Sequence, residues 1–196
     1  ETAAIGSTVD IDISFDPNSS MATGSFVVDY DPTLLSPVAY TVGEGIEMAS
    51  VMVNMNYTDP EDGLKKIKVS FISFDELNTG GSAVRFTFKI NEGCTDGQVL
   101  PITVKNASIY DPMENPIAFT VYPGAVNAVS IMLGDTNGDG VVNVLDAFRV
   151  VRFDVGFLQL TEKQKTAADV DRNDVVDIFD AMKIQRFDIG LADSFN

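Results

Sequence analysis

Histidine and tryptophan are absent from this 196-residue sequence, and cysteine occurs once. Without His there is no imidazole to serve as general base or zinc ligand, and Cys94 has no basic neighbour, so the usual nucleophile–base pairs are missing. A lone cysteine forms no internal disulfide and assigns no redox compartment. With no Trp and only five Tyr, little aromatic surface is left for stacking sugar rings. Cationic residues are scarce: 13 Lys and Arg stand against 29 Asp and Glu, a formal charge of −16. Nucleic acid and anionic membrane surfaces need clustered cations, so neither is an expected partner. No apolar run is long enough to span a bilayer, which argues against membrane insertion. Nor does a charged-then-apolar leader open the sequence at Glu1, so it reads as a mature or excised fragment.

What is present is the makeup of a folded chain, with 45% hydrophobic residues. Before residue 130 the apolar pattern has a period of two. Residues 8–15, 66–72 and 82–90 alternate cleanly, and 25–30, 48–54, 101–109, 117–121 and 126–132 are further candidate strands. Turn signals separate them at Asp16-Pro17-Asn18, Asp31-Pro32, Asp59-Pro60, Gly80-Gly81, Asp111-Pro112 and Pro123-Gly124. Short strands with frequent turns predict a β-sandwich or jelly roll.

After residue 132 the period becomes helical. Residues 144–155 and 178–189 place apolar side chains at helical spacing, and 161–168 reads as a short connecting helix with Thr161 as N-cap. No Pro/Ser/Thr-rich linker separates the two regimes. We expect two closely coupled modules, a β-sandwich over 1–132 and a small all-α module over 133–196.

The second module is duplicated. Shifting it by 34 residues lays Asp135 over Asp169 and Asp146 over Asp180, and the match continues through Ala147/Ala181, Arg152/Arg186, Phe153/Phe187, Asp154/Asp188 and Gly156/Gly190. Each copy opens with a twelve-residue frame carrying oxygen side chains at positions 1, 3, 5, 9 and 12, the calcium-loop arrangement of an EF-hand. Ca²⁺ takes about six to eight oxygens, and a curling loop turns alternate side chains inward. The first loop would bind through Asp135, Asn137, Asp139, the Val141 carbonyl, Asn143 and Asp146. The second would use Asp169, Asp171, Asn173, the Val175 carbonyl, Asp177 and Asp180. Two bound Ca²⁺ ions are expected.

Two departures from the EF-hand pattern stand out. Position 12 is Asp in both loops in place of the usual Glu, so the following helix must shift slightly to reach the ion. Position 6 needs φ > 0 and is Gly140 in the first loop but Asp174 in the second, which predicts weaker binding or altered geometry there. The bland alternative is that two Asp/Asn-rich turns simply cap two helices. Against it stand the register of the repeat and the mutual repulsion of seven ligand-position carboxylates, which a counter-ion would relieve.

An EF-hand places a helix before each loop, whereas residues 130–134 read as strand. A duplicated loop-then-helix unit resembles the type I dockerin of cellulosome-like assemblies. The motif Gly-Asp-x-Asn-Gly-Asp-Gly-x-Val-Asn over 134–143, with Ala168-Asp169-Val170-Asp171-Arg172-Asn173 in the second copy, carries the resemblance. It implies a partner, a cohesin module on a scaffold protein. It also implies the contact residues: loop positions 10 and 11, here Val144, Leu145, Ile178 and Phe179, with a basic residue in each helix, Arg152 and Arg186. Many dockerins have Ser or Thr at the first pair, so an apolar pair implies a more hydrophobic contact and a different cohesin specificity. The alternative is that Leu145 and Phe179 pack inside the module. The duplication implies two nearly equivalent binding faces.

The first module is similar to a cohesin jelly roll. Ala22–Phe26, Tyr30-Asp31-Pro32-Thr33-Leu34-Leu35, then residues 81–90, 97–104 and 106–108 follow the family's order over residues 5–132. The resemblance implies that a dockerin binds on the strand carrying Thr23 and Ser25, where the family often has Asn and Asp. A carbohydrate-binding module with Tyr40, Tyr57 or Tyr110 as platform is one alternative, and a structural companion to the dockerin is another. An enzyme is the least favoured class, because the carboxylates outside the loops, Asp59, Glu61, Asp62, Asp75 and Glu76, read as surface turns. The whole therefore reads as a bacterial, extracellular or cell-surface adaptor. It docks into one scaffold and receives another dockerin, and self-association is a consequence to check.

Overall fold

A computed structural model describes residues 1–16, 20–77 and 80–195. Its contacts divide the chain into two units, Glu1–Val129 and Ser130–Asn196. The first unit is all β. Its strands are β1 (Thr2–Ala4), β2 (Thr8–Phe15), β3 (Met21–Asp29), β4 (Leu35–Val42), β5 (Ser50–Thr58), β6 (Lys65–Leu77), β7 (Gly81–Ile90), β8 (Val99–Tyr110) and β9 (Gly124–Val129). They form a six-stranded sheet in the order β1-β9-β8-β3-β6-β5 and a three-stranded sheet in the order β2-β7-β4.

Alternation decides which way each strand faces. In β7, Val84, Phe86, Phe88 and Ile90 are fully buried, while Arg85 and Lys89 are exposed. They share one core with Phe26 and Val28 of β3 and Ile67, Val69 and Phe71 of β6. Each such side chain stabilises the fold by about 1.5–3 kcal/mol relative to an exposed position. On the solvent side of the smaller sheet, Arg85 pairs with Asp12 at 2.9 Å and Thr87 Oγ1 donates to Asp10 at 2.6 Å.

Several expectations need correction. Residues 117–121 do not form a strand; only an isolated Tyr110–Pro116 bridge continues the pairing. Pro116 and Pro123 bracket that segment and cannot donate to a ladder. Residues 130–134 are not strand either, since β9 ends at Val129. Conversely, β1 and β4 were not foreseen. Pro37 interrupts the pattern of β4, and it is tolerated because β4 is an edge strand with an irregular register between Pro37 and Ala39. The expected turn at Asp16-Pro17-Asn18 extends into residues 17–19, outside the described residues.

The second unit contains α1 (Val144–Asp154), α2 (Glu162–Ala168) and α3 (Ile178–Asp188). Thr161 caps α2 by accepting from Gln164 N, as its position predicts. The core is small: Val142, Ala147, Val150, Leu160, Ala168, Val170, Ala181 and Ile184. Phe195, near the chain end, stacks on Phe187 with ring centroids 4.8 Å apart. Phe195 also closes over Gly134, where a Cβ would lie 2.7 Å from its ring; with φ of +90° as well, that position requires glycine. Among the described residues no helix is long and apolar enough to cross a membrane.

Candidate metal loops and exposed faces

Both loops are curled by their own carboxylates. In the first, Asp135 at position 1 accepts from Gly138 N at 2.7 Å, Asp139 N at 3.2 Å and Gly140 N at 2.8 Å. In the second, Asp169 accepts from Asn173 N at 3.1 Å and Asp174 N at 2.9 Å. These short links require left-handed backbone at positions 4 and 6. Gly138 and Gly140 have φ of 79° and 85°, Arg172 and Asp174 have 59° and 65°. Asp174 was foreseen. Arg172 was not, although the repeat laid it over Gly138.

Position 12 closes each loop from the first turn of the following helix. Asp146 and Asp180 are fully buried. Asp146 accepts from Thr136 N, Asn137 N and Asn143 N at 2.9, 3.1 and 3.0 Å. Asp180 accepts from Val170 N, Asp171 N and Asp177 N at 2.9, 3.3 and 3.0 Å. The position 9 residues, Asn143 and Asp177, are the N-caps of α1 and α3, each accepting at 2.7 Å from the N–H two residues on. Capping and metal binding are thus compatible uses of the same groups, because the Asn143 amide oxygen offers two lone pairs and the Asp177 carboxylate about four. Positions 3 and 5 also brace the loop, with Asn137 accepting from Asp139 N, Asp139 from Val141 N and Asn173 from Val175 N.

The second loop gathers its carboxylates most closely. One oxygen each of Asp169, Asp171 and Asp180 lie within 4.8 Å of one another. Asp171 Oδ1 is buried with no hydrogen-bond partner, a costly state for a carboxylate oxygen. Burial pushes the Asp180 carboxyl above the ordinary range; the neighbouring Asp171 charge adds to this, and backbone donors from Asp177, Asp171 and Val170 oppose it. An all-oxygen donor set of this kind suits Ca²⁺ and lacks the nitrogen and sulfur ligands of zinc sites.

The predicted contact residues are exposed. Val144 and Leu145 open α1 at 51% and 59% exposure, and Ile178 and Phe179 open α3 at 42% and 62%. Leu145 and Phe179 therefore do not pack inside. One turn on, Phe148 and Met182 are exposed too, and Arg152 lies over the Phe148 ring at 5.7 Å. Sequence reasoning missed this pair, though the spacing of three to four from positions 10 and 11 would have found it.

Thr23 and Ser25 share one face of β3. Thr23 is in register with Tyr110 of β8 and Ile72 of β6, and Ser25 with Ser108 and Ser70. Ile72 and Ser70 in turn pair with Ser50 and Met52 of β5. Together they line a shallow depression of about 330 Å³ without a charged residue, in a chain of charge −16. Exposed Met48, Met52, Ile72 and Phe74 make its surroundings apolar. The three tyrosines weighed for a sugar platform are dispersed, Tyr40 on β4 of one sheet, Tyr57 and Tyr110 on β5 and β8 of the other. Asp59, expected in a surface turn, is buried; it accepts from Glu61 N at 3.0 Å and pairs with Lys105 at 3.2 Å.

A two-sheet sandwich followed by a duplicated loop–helix unit is the architecture of an assembly protein, built from modules that bind other modules. The chain belongs to the cohesin family: residues 1–128 match the cohesin domain, and residues 133–187 match the dockerin type I domain. Both are non-catalytic modules of cellulosome-type assembly, and type I dockerins bind calcium. No curated protein matches the sequence. Among solved structures, the sixth cohesin of Acetivibrio cellulolyticus scaffoldin B, in complex with a Cel5 dockerin mutant, is 22% identical with a TM-score of 0.54 over 65% of this chain and 92% of that one. The OlpC cohesin of Clostridium thermocellum, from a type I cohesin–dockerin complex, is 19% identical with a TM-score of 0.57 over 66% and 89%. A non-cellulosomal cohesin from the archaeon Archaeoglobus fulgidus is 17% identical with a TM-score of 0.56 over 66% and 86%. At these identities the likeness is one of fold.

Proposed function

We propose that this chain is a bacterial extracellular or cell-surface adaptor, with a cohesin module over 1–132 and a dockerin module over 133–196. The dockerin holds two Ca²⁺ ions in the loops 135–146 and 169–180 and docks onto a cohesin of a scaffold protein. The cohesin module receives another dockerin on the β8-β3-β6-β5 face around Thr23 and Ser25. The buried, unpartnered Asp171 Oδ1 carries the calcium reading, since a bound cation would satisfy it and offset the carboxylate repulsion. The apolar starts of α1 and α3 support the docking reading, with Val144, Leu145 and Arg152 on one face and Ile178, Phe179 and Arg186 on the other. Exposed apolar residues clustered beside a basic residue fit a protein interface.

A calcium-dependent binding assay of the full chain against a panel of cohesins and a panel of dockerins tests this. At least one cohesin should bind with calcium and release with chelator, and at least one dockerin should bind the sandwich. Changing Val144 and Leu145 together, or Ile178 and Phe179 together, should leave cohesin binding largely intact, and changing all four should abolish it. A single pair whose loss abolishes binding would refute two equivalent faces. Because one chain carries both complementary modules, sedimentation at two concentrations should reveal calcium-dependent association. A calcium-independent monomer would remove self-association from the proposal.

A further inference from the structure

We propose that Lys183 is a tethered counter-ion of the second loop, pairing with the outer oxygen of Asp171 and lowering that loop's affinity for calcium. This rests on the calcium reading above. The second loop has carboxylates at four ligand positions, Asp169, Asp171, Asp177 and Asp180, where the first has three, Asp135, Asp139 and Asp146. Affinity in such loops rises with the number of charged ligands, so on charge alone the second loop should bind more tightly. Lys183, in the second turn of α3, places its Nζ 3.4 Å from Asp171 Oδ2. The other oxygen of the same carboxylate, Oδ1, is the buried one without a hydrogen-bond partner, and Asp171 belongs to the group with Asp169 and Asp180. One carboxylate is thus divided between an ammonium on its outer side and the calcium position on its inner side.

The first repeat supplies an internal contrast. The equivalent residue, 34 positions earlier, is Arg149, and its Nε donates to the Thr136 carbonyl at 3.3 Å, not to a ligand side chain. In the metal-free second loop, the ammonium offsets the charge of one of the crowded carboxylates. With a divalent ion bound, the same ammonium becomes a nearby like charge. At about 6 Å and a water-like dielectric this repulsion corresponds to about a tenfold loss of affinity. The Lys183 side chain is 42% exposed, so salt weakens the effect. The result brings the affinities of the two loops closer than their carboxylate counts imply.

The test is a calcium titration of the ¹⁵N-labelled full chain, following the amide signals of residues 135–146 and 169–180 separately. The parent is compared with K183M, which removes the charge at similar length, and K183R, which keeps it. We expect K183M to tighten the second loop about tenfold, leave the first within about twofold, and leave the melting of the sandwich in chelator unchanged. K183R should stay close to the parent in all three. An unchanged or weaker second loop in K183M overturns the proposal, as does K183R behaving like K183M. A parent chain in which neither loop responds to calcium overturns the calcium reading itself, a different and separately visible failure.

Discussion

The two units surround their carboxylates differently. In the sandwich, protein donors or ammonium groups meet each one; Asp59 Oδ2, buried without a hydrogen-bond partner as Asp171 Oδ1 is, faces Lys105 Nζ at 3.2 Å. Asp12 is held below the ordinary carboxyl range by Arg85, Asp31 by Thr33, Asp59 by the Glu61 backbone N–H and Asp111 by Asn115. In the helical unit Asp180 is pushed up by burial, and Asp171 keeps a buried oxygen with no hydrogen-bond partner. The apolar cores differ in the same sense. The sandwich buries seven aromatic or large aliphatic side chains from β6 and β7 alone: Ile67, Val69, Phe71, Val84, Phe86, Phe88 and Ile90. The helical unit relies on a core that includes three alanines, Ala147, Ala168 and Ala181. One unit is held by its own interior, and the other has a small core beside two carboxylate loops, the pattern expected if a cation completes it as proposed above.

The strongest way to break this comparison is to withhold calcium. Chelator should melt α1, α2 and α3 and leave the sandwich folded, read as a loss of helical circular dichroism with an unchanged sandwich transition on heating. At a free ion concentration 1,000-fold above Kd, each occupied loop contributes about 4 kcal/mol. Retention of full helicity in chelator would show that the small core suffices alone. The converse experiment strikes the sandwich. Phe88 is fully buried and packs edge-on to Tyr30 at a centroid distance of 5.1 Å. Phe88→Ala should cost about 3–5 kcal/mol in the sandwich transition while calcium uptake is unchanged.

Acid gives a smaller and more selective effect. The folded Asp59 carboxyl lies below its ordinary value of 3.8, so the unfolded chain takes up a proton there first. Its contribution is fully present above that ordinary value and is lost as pH falls through the lower, folded one. The urea midpoint of the sandwich should therefore drop as pH falls below about 4, and Asp59→Asn should flatten that part of the profile. An Asp59→Asn profile that parallels the parent would remove Asp59 from the set that matters.

The helical unit was the more legible half. Its repeat located the two curled loops and both long helices, because loop position and helix period are local properties of sequence. The sandwich yielded its clean alternators, β2, β6 and β7, but not β4, whose Pro37 is acceptable only because no strand lies beyond it, a fact of topology. Residues 117–121 alternate like a strand and lack a partner for the same reason. Thr23 and Ser25 were named through family likeness. Their neighbours Ile72, Met52 and Tyr110 could not be, since cross-strand register from β3 to β8, β6 and β5 brings them together. Asp59 looked like a surface turn because its partner Lys105 lies 46 positions away in the sequence.

The smallest effect concerns ordinary surface charge in the helical unit. Glu162 and Lys165 in α2 form an ion pair at 2.8 Å, with the Glu162 side chain 88% exposed. Water screens such a pair, and holding two long side chains together costs entropy, so Glu162→Gln should change stability by less than about 0.5 kcal/mol. Thr161→Ala, which removes the cap of the same helix, should cost about 1 kcal/mol. Both are read as shifts in the thermal transition of the helical unit at saturating calcium. If Glu162→Gln equalled or exceeded Thr161→Ala, surface pairing would count among the forces holding this unit, and calcium would lose its place as the dominant charge in it.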